Sequence, residues 1–407
     1  MDAVRAIDPA PIVYGLAAFL LLMFNEAWLL GQPTPESPSL AGRLLLVPSY
    51  AVGLFLLLRR PDRAATGLMR MPLLVLLVLV AAASVFWSVA PAETASRIVA
   101  LVLTTVFSVA LGARWRWSEL VEVIAIAFAA MTVLSLILGV AFPSIGRMTE
   151  IFPGAWRGLW VEKNTFGALM AIATLNFAAA ALFHPKRAFL WWAMAALAIL
   201  LLGLSTSRTA ILAFVFGAAG LGFTLLVRRG PATAIAAIWI AGAGLIGLAV
   251  LIAIFPGVFF ASLGKDATLT GRTEIWAEIW RLIQQRPLLG YGYDAVWTDK
   301  SVWGPLPWVT KHLQFTPSHA HNSWLEQWLA LGEVGLAVWS MLYVSVVSKA
   351  IWSVFTSRGA LLAFPFMIVY SLIGLTESVA LTYNDIHWAL FVTYAVRLSI
   401  PSEDERA

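Results

Sequence analysis

Long apolar stretches recur along the whole chain, separated by short polar connections. Runs of about 17 to 25 mostly apolar residues are the length that crosses a bilayer as a helix. On that measure the pattern predicts spans over 11–30, 40–58, 72–90, 93–112, 118–140, 164–183, 188–204, 208–227, 233–255, 323–348, 360–377 and 385–400. The expected fold class is an all-α polytopic membrane protein with about twelve transmembrane helices. One connection is long. It divides the chain into 1–255 with nine helices, a large loop over 256–322, and 323–407 with the last three helices and a tail.

Inside that loop the periodicity changes. Ile275, Trp276, Ile279, Trp280 and Ile283 recur at helical spacing, and Pro287 ends the run. This predicts an amphipathic helix over 272–286, lying roughly 5–10 Å deep in the headgroup region rather than spanning. A glycine-punctuated turn follows, Leu-Gly-Tyr-Gly-Tyr at 289–293, then Trp297, Trp303 and Trp308. These tryptophans suit either an interfacial belt or stacking against sugar rings. At 318–328 the chain reads Ser-His-Ala-His-Asn-Ser-Trp-Leu-Glu-Gln-Trp, with Ser323 and Glu326 at capping-box spacing, so the tenth span is expected to start there.

Composition closes off the soluble alternatives. Of the 407 residues 60% are hydrophobic and 12% charged, against roughly 45–50% and about 25% in soluble globular domains. With no cysteine, disulfides, thiolate metal sites and c-type haem are excluded. The net charge of +5 reads as topology, not as a nucleic-acid surface. Alternate connections are basic: Arg59, Arg60, Arg63 and Arg70, then Arg114 and Arg116, Lys186 and Arg187, Arg228 and Arg229, and Lys349 and Arg358. By the positive-inside rule those connections and both termini face the cytoplasm, and the large loop is periplasmic. The first span contains Asn25 and Glu26 with no small-residue cleavage site after it, which predicts an uncleaved anchor.

Cations on the other side break the rule. Arg147, Arg157 and Lys163 precede the sixth span, and six more lie in the large loop, Lys265, Arg272, Arg281, Arg286, Lys300 and Lys311. Arg208 opens the eighth span in a short connection, where a lone cation costs insertion energy unless an anion meets it. Arg208 and Arg272 stand at expected helix starts, and their planar forks suit bidentate contact with phosphate. Two such groups match a diphosphate; Lys163 and Asn164 would add a point charge and an amide. His319, His321 and Asn322 lie just outside the first turn of the tenth helix. There the helix dipole disfavours imidazolium and welcomes an anion, so His321 is positioned as a base. No carboxylate near the His-x-His pair in sequence completes a zinc-like set, so no metal is expected.

Several of these segments, in this order, resemble the O-antigen ligase and O-antigen polymerase superfamily, most of all its exopolysaccharide-polymerase branch. They are Lys-Asn at 163–164, Ser-Thr-Ser-Arg-Thr at 205–209, Gly-Arg-Thr-Glu-Ile-Trp at 271–276, Pro-Leu-Leu-Gly-Tyr-Gly-Tyr at 287–293 and His-Ala-His-Asn-Ser-Trp-Leu-Glu at 319–326. The resemblance implies a metal-independent glycosyltransferase of the bacterial inner membrane, without a cofactor. Its donor would be an undecaprenyl diphosphate-linked glycan. Its acceptor would be another glycan in a polymerase or lipid A core in a ligase, with the lipid bilayer and other polysaccharide assembly proteins as partners. It also implies catalytic roles at His321, Arg208 and Arg272 and substrate binding at Lys163, Asn164, His319 and Asn322. Glu377 joins the set without a local motif. Direct displacement of the diphosphate would invert the anomeric configuration.

A transporter of lipid-linked oligosaccharides would bind the same diphosphate without chemistry. Six-plus-six transporters are built of repeats, commonly with their long connection between the halves, whereas the middle connection here is the short His-Pro-Lys-Arg at 184–187. Glu26 and Glu333 are the main ionisable residues expected within the membrane, too few for a proton relay. A structural scaffold would leave the outer arginines and histidines incidental.

Overall fold

The computed structural model describes residues 10–24, 40–59, 61–149, 152–254, 272–301 and 303–400. Asn25, Glu26, Lys265 and the first part of the large loop lie outside the described residues. In chain order the helices are α1 (Ala10–Met23), α2 (Leu40–Arg59), α3 (Pro61–Met69), α4 (Pro72–Ala83), α5 (Pro91–Arg114), α6 (Trp117–Ala141), α7 (Pro143–Gly146) and α8 (Lys163–Phe183). They continue as α9 (Ala188–Leu204), α10 (Arg208–Val227), α11 (Pro231–Ile254), α12 (Arg272–Gln285), α13 (Leu306–Leu313), α14 (Ser323–Thr356), α15 (Ala360–Gly374) and α16 (Ile386–Ser399). Among the described residues there is no β-strand, only an isolated bridge between Arg147 and Trp156. Seven of the described helices are long and apolar enough to cross a membrane, or up to eight if the bent pair α3 and α4 counts as one span.

In lipid, helices gain little from burying apolar faces against each other, so close packing through small residues holds the bundle together. Alanine-rich α8 is the hub, with 89% of its most apolar stretch buried inside the protein. Gly217 of α10 lies against Leu175 of α8 and Val369 of α15, and Gly112 of α5 lies against the Thr393 backbone of α16. The corresponding stretch of α11 is 6% buried, so this helix sits at the periphery with its sides open to lipid. The basic connection after α2 holds a helix of its own. α3 is bent 84° from α4, and Gly67 packs it against Val396 and Ile400 at the end of α16.

The large loop is fastened to the bundle rather than resting on a membrane surface. Ile275, Ile279, Leu282 and Ile283 of α12 are buried with Tyr291, Val296, Val309 and Leu329. The apolar face expected to meet headgroups is thus filled by protein, because α13 and the start of α14 supply a matching surface. The next segment threads into a break in α14. At Gly332 the backbone leaves the helix (φ 66°, ψ −165°), and the groups released there pair with the loop. Tyr291 N donates to Leu329 O (3.1 Å), Gly292 N to Ala330 O (2.9 Å) and Glu333 N to Pro287 O (2.7 Å). A broken helix at membrane depth requires such partners. Gly290 and Gly292 adopt φ of 64° and 102°, which explains the glycines in Leu-Gly-Tyr-Gly-Tyr. The motif is a clasp. Tyr293 extends it, donating from its hydroxyl to Leu381 O (2.7 Å) and from its backbone to Ser84 Oγ (2.9 Å). The tryptophans of the loop separate by role. Trp297 donates to Glu326 at 2.5 Å, whereas Trp303 and Trp308 are exposed.

The start of α14 departs from the expected capping box. Asn322 is the cap, its side-chain oxygen accepting from Trp324 N (2.9 Å) and Leu325 N (3.2 Å). Ser323 donates to Glu377 O and accepts from Val379 N. Glu326 accepts from Ala320 N and Ser378 Oγ. Both residues of the expected box are drawn to neighbouring segments.

Candidate active site

Three chain segments converge at the start of α14. His321 sits there at φ +50°, a left-handed conformation that costs a non-glycine residue about 1–3 kcal/mol and persists only where its surroundings impose it. Its Nδ1 lies 3.0 Å from Glu377 Oε2, and Glu377 comes from the α15–α16 connection. The other oxygen, Oε1, accepts from Arg272 Nη2 at 2.8 Å, at the first residue of α12. One carboxylate thus holds both the histidine and the arginine singled out from the sequence. Burial opposes its charge, but the His321 hydrogen bond and then the Arg272 charge outweigh that and hold the Glu377 pKa below the usual carboxylate value. A carboxylate only accepts, so the shared proton belongs on His321 Nδ1, leaving Nε2 to act as a base.

His319 packs against His321 with ring centroids 3.9 Å apart, and its Nδ1 accepts the His321 backbone N–H at 3.1 Å. Burial first, then the neighbouring His321, lowers its pKa to about 4. It is therefore a neutral ring with its proton on Nε2 at ordinary pH.

A second cluster stands beside this one. Lys163 and Arg208 open α8 and α10 and feel each other's charge. Lys163 Nζ contacts Thr206 Oγ1 at 3.3 Å and lies 3.8 Å above the Phe152 ring. Asn164 accepts from Ser207 Oγ at 3.0 Å, tying the two helix starts together. Glu162, just before Lys163, links the clusters. Desolvation first, then the charge of Glu377, raises its pKa, while His321 and Arg272 pull it down. Asn322, expected to bind substrate, has its side-chain oxygen engaged as the helix cap.

The expectation that no carboxylate completes the histidine pair is corrected here. His319, His321 and Glu377 each offer one atom within 4.8 Å of the others. The acid comes from far along the chain, so local spacing did not reveal it. In the arrangement present, His319 Nδ1 accepts the His321 N–H, and both Glu377 oxygens are engaged, one by Arg272 and one by His321.

Residues 193–340 match the protein family described as O-antigen ligase. The match takes in Arg208, Arg272, His319, His321 and Asn322, while Lys163, Glu377 and Glu162 lie outside it. The exopolysaccharide production protein ExoQ of Rhizobium meliloti (strain 1021) is 30% identical over 198 residues. That alignment covers 46% of this chain and 45% of the relative, so the chain spans somewhat under half of that protein's length. With seven helices long and apolar enough to cross a bilayer among the described residues, the chain is a multi-pass membrane protein. Sequence reasoning left Glu377 at the margin and missed Glu162; an acid directly before the Lys-Asn pair was the available signal.

Proposed function

We propose that this protein is a membrane glycosyltransferase that moves a glycan from an undecaprenyl diphosphate donor to an acceptor hydroxyl at the periplasmic face, polymerising repeat units of an exopolysaccharide or O-antigen. The observation that carries this reading is electrostatic. α8, α10 and α12 each begin with a cation, Lys163, Arg208 and Arg272, although a helix N-terminus is the end at which positive charge is disfavoured. Three such starts around one histidine form a seat for a strongly anionic group. His321 Nε2 takes the proton of the acceptor hydroxyl, and Glu377 steadies the imidazolium that forms. The acceptor oxygen bonds to the anomeric carbon as the bond to the diphosphate oxygen breaks, inverting the configuration. Arg208, Lys163 and the rest of the Arg272 fork hold the departing charge, so no divalent ion is required.

The chain crosses the bacterial inner membrane twelve times in this reading, with α1, α2, α4, α15 and α16 joining the longer helices. Both termini are cytoplasmic, and the division is 1–255, 256–322 and 323–407. The likeness to an exopolysaccharide production protein supports a role in making such a polymer; the family description as O-antigen ligase supports the alternative, a ligase, whose acceptor would be lipid A core. Purified protein supplied with a lipid diphosphate oligosaccharide separates them. Ladders without lipid A core, undiminished by a chelator, are expected. Product formed only with the core makes the protein a ligase, and no product with either acceptor removes the transferase reading.

A further inference from the structure

A cavity of about 220 Å³ is lined by His319 and Glu377 and also by His387 at the start of α16. The His387 side chain is 3% exposed. Asp385 caps α16 with one oxygen, accepting from Trp388 N at 3.0 Å, and receives His387 Nδ1 on the other at 3.2 Å. The proton between them belongs on the ring, since the carboxylate only accepts. That leaves Nε2, which is buried and has no hydrogen-bond partner. A buried polar atom without a partner is costly, and His387 is one of the residues that line the cavity. The rest of the lining is mixed in the way a sugar needs, with Thr165, Ser378 and Thr382 as well as Trp160; the Ser378 and Thr382 hydroxyls donate to Glu326 and to backbone carbonyls, which leaves their oxygens to accept. The volume is below the roughly 300–1,000 Å³ of drug-sized ligand sites, which limits the occupant to one ring.

We infer that this cavity is a subsite for a single sugar ring, and that His387, held by Asp385, is a specificity-determining residue that bonds one ring hydroxyl through Nε2. The inference rests on the glycan-transfer reading above. It adds a sugar-binding wall beside His319, formed by residues outside the matched family segment.

The test uses the full-length protein in nanodiscs and two variants. His387→Asn keeps a polar group near the Nδ1 position against Asp385, and His387→Gln restores one near the Nε2 position. Binding is measured for undecaprenyl diphosphate, for undecaprenyl diphosphate-linked glucose, galactose and N-acetylglucosamine, and for the methyl glycosides of the same sugars. For at least one sugar, His387→Asn should weaken binding about tenfold, the effect of one buried hydrogen bond. It should leave bare undecaprenyl diphosphate binding and the thermal midpoint unchanged, and His387→Gln should recover most of the loss. Loss confined to lipid-linked sugars assigns the ring to the donor; loss with the methyl glycosides assigns it to the acceptor. Unchanged sugar affinity in His387→Asn, or an equal loss with bare undecaprenyl diphosphate, overturns the subsite. So does a fall in thermal midpoint that His387→Gln fails to rescue, which makes the pair a structural cap. If the wild type binds a sugar probe but transfers nothing, the transfer reading falls and the subsite stands. If it binds no sugar probe, both fall.

Discussion

At the end of the bundle where α8 and α14 finish, each of several cations is met locally. Arg187 pairs with Glu122, Arg358 reaches the Leu182 carbonyl at 3.2 Å, and Lys349 contacts Ser399 Oγ at 2.8 Å and the Arg70 carbonyl at 3.3 Å. Arg358 meets a free carbonyl at the C-terminus of α8, a place that welcomes a cation, whereas Arg187 is the N-cap of α9 and is met by a carboxylate instead. At the other end, Lys163, Arg208 and Arg272 stand on helix N-termini, and of the three only Arg272 pairs with a carboxylate, which it shares with His321. The contrast separates charge that orients and holds a membrane protein from charge arranged to receive something. Neither the number of cations nor the helix terminus distinguishes the two ends, since Arg116 and Arg187 are themselves N-caps; what meets each cation does.

The largest expected effect comes from the site end. Replacing His321 by Ala should cut glycosyl transfer at least a hundredfold, within the usual range for a general base, with membrane insertion and thermal midpoint unchanged. Glu122→Gln should do the reverse, lowering the midpoint while leaving turnover per folded molecule near normal. If both variants lose activity in proportion to stability, the contrast between the ends fails. Next in size, Arg208→Ala should lower kcat/KM for the lipid diphosphate donor by about 10- to 100-fold, from the loss of hydrogen bonds between charged groups. Lys349→Ala should change it little, and equal effects in a steady-state assay would contradict the assignment of roles.

The clasp lies between these extremes. A side chain at Gly332 would run into the Leu288 backbone at a positive φ, so Gly332→Ala should destabilise by about 1–3 kcal/mol, read as a lower thermal midpoint with weakened activity. The smallest effect concerns pH. Burial holds His319 near 4 in the folded protein, whereas an unfolded histidine titrates at about 6.5. The folded state therefore binds fewer protons, and stability present above about pH 6.5 is lost as pH falls towards 4. Glu377, held below its ordinary value, adds to the loss at the acid end. Thermal midpoints between pH 7 and 4 should fall by several degrees, and His319→Asn should flatten the slope; an unchanged slope would place the acid sensitivity elsewhere.

Much of the fold was legible because spanning helices announce themselves by length and hydropathy; α5, α6, α8, α9 and α10 fall within a few residues of their expected bounds. The site was legible where helix starts coincide with charge, at Lys163, Arg208, Arg272 and His321. It was not legible where partners are distant in sequence. Glu377 is 56 residues from His321 and 105 from Arg272, and no local period brings them together. Asp385 and His387 look in sequence like an ordinary helix start. The fate of α12 was hidden for a related reason. An amphipathic stripe shows that a face will be covered, but not whether lipid or protein covers it.

The threading of 287–292 into the break of α14 also sets an order of assembly. Arg272 and the clasp leave the ribosome before the helix they dock against, and Glu377 follows later still. The cluster of Arg272, His321 and Glu377 therefore has no precursor form in the growing chain. It comes into being only once Glu377 has followed α15, so a chain cut short after α14 would carry the whole matched segment and yet have no acid to hold its histidine.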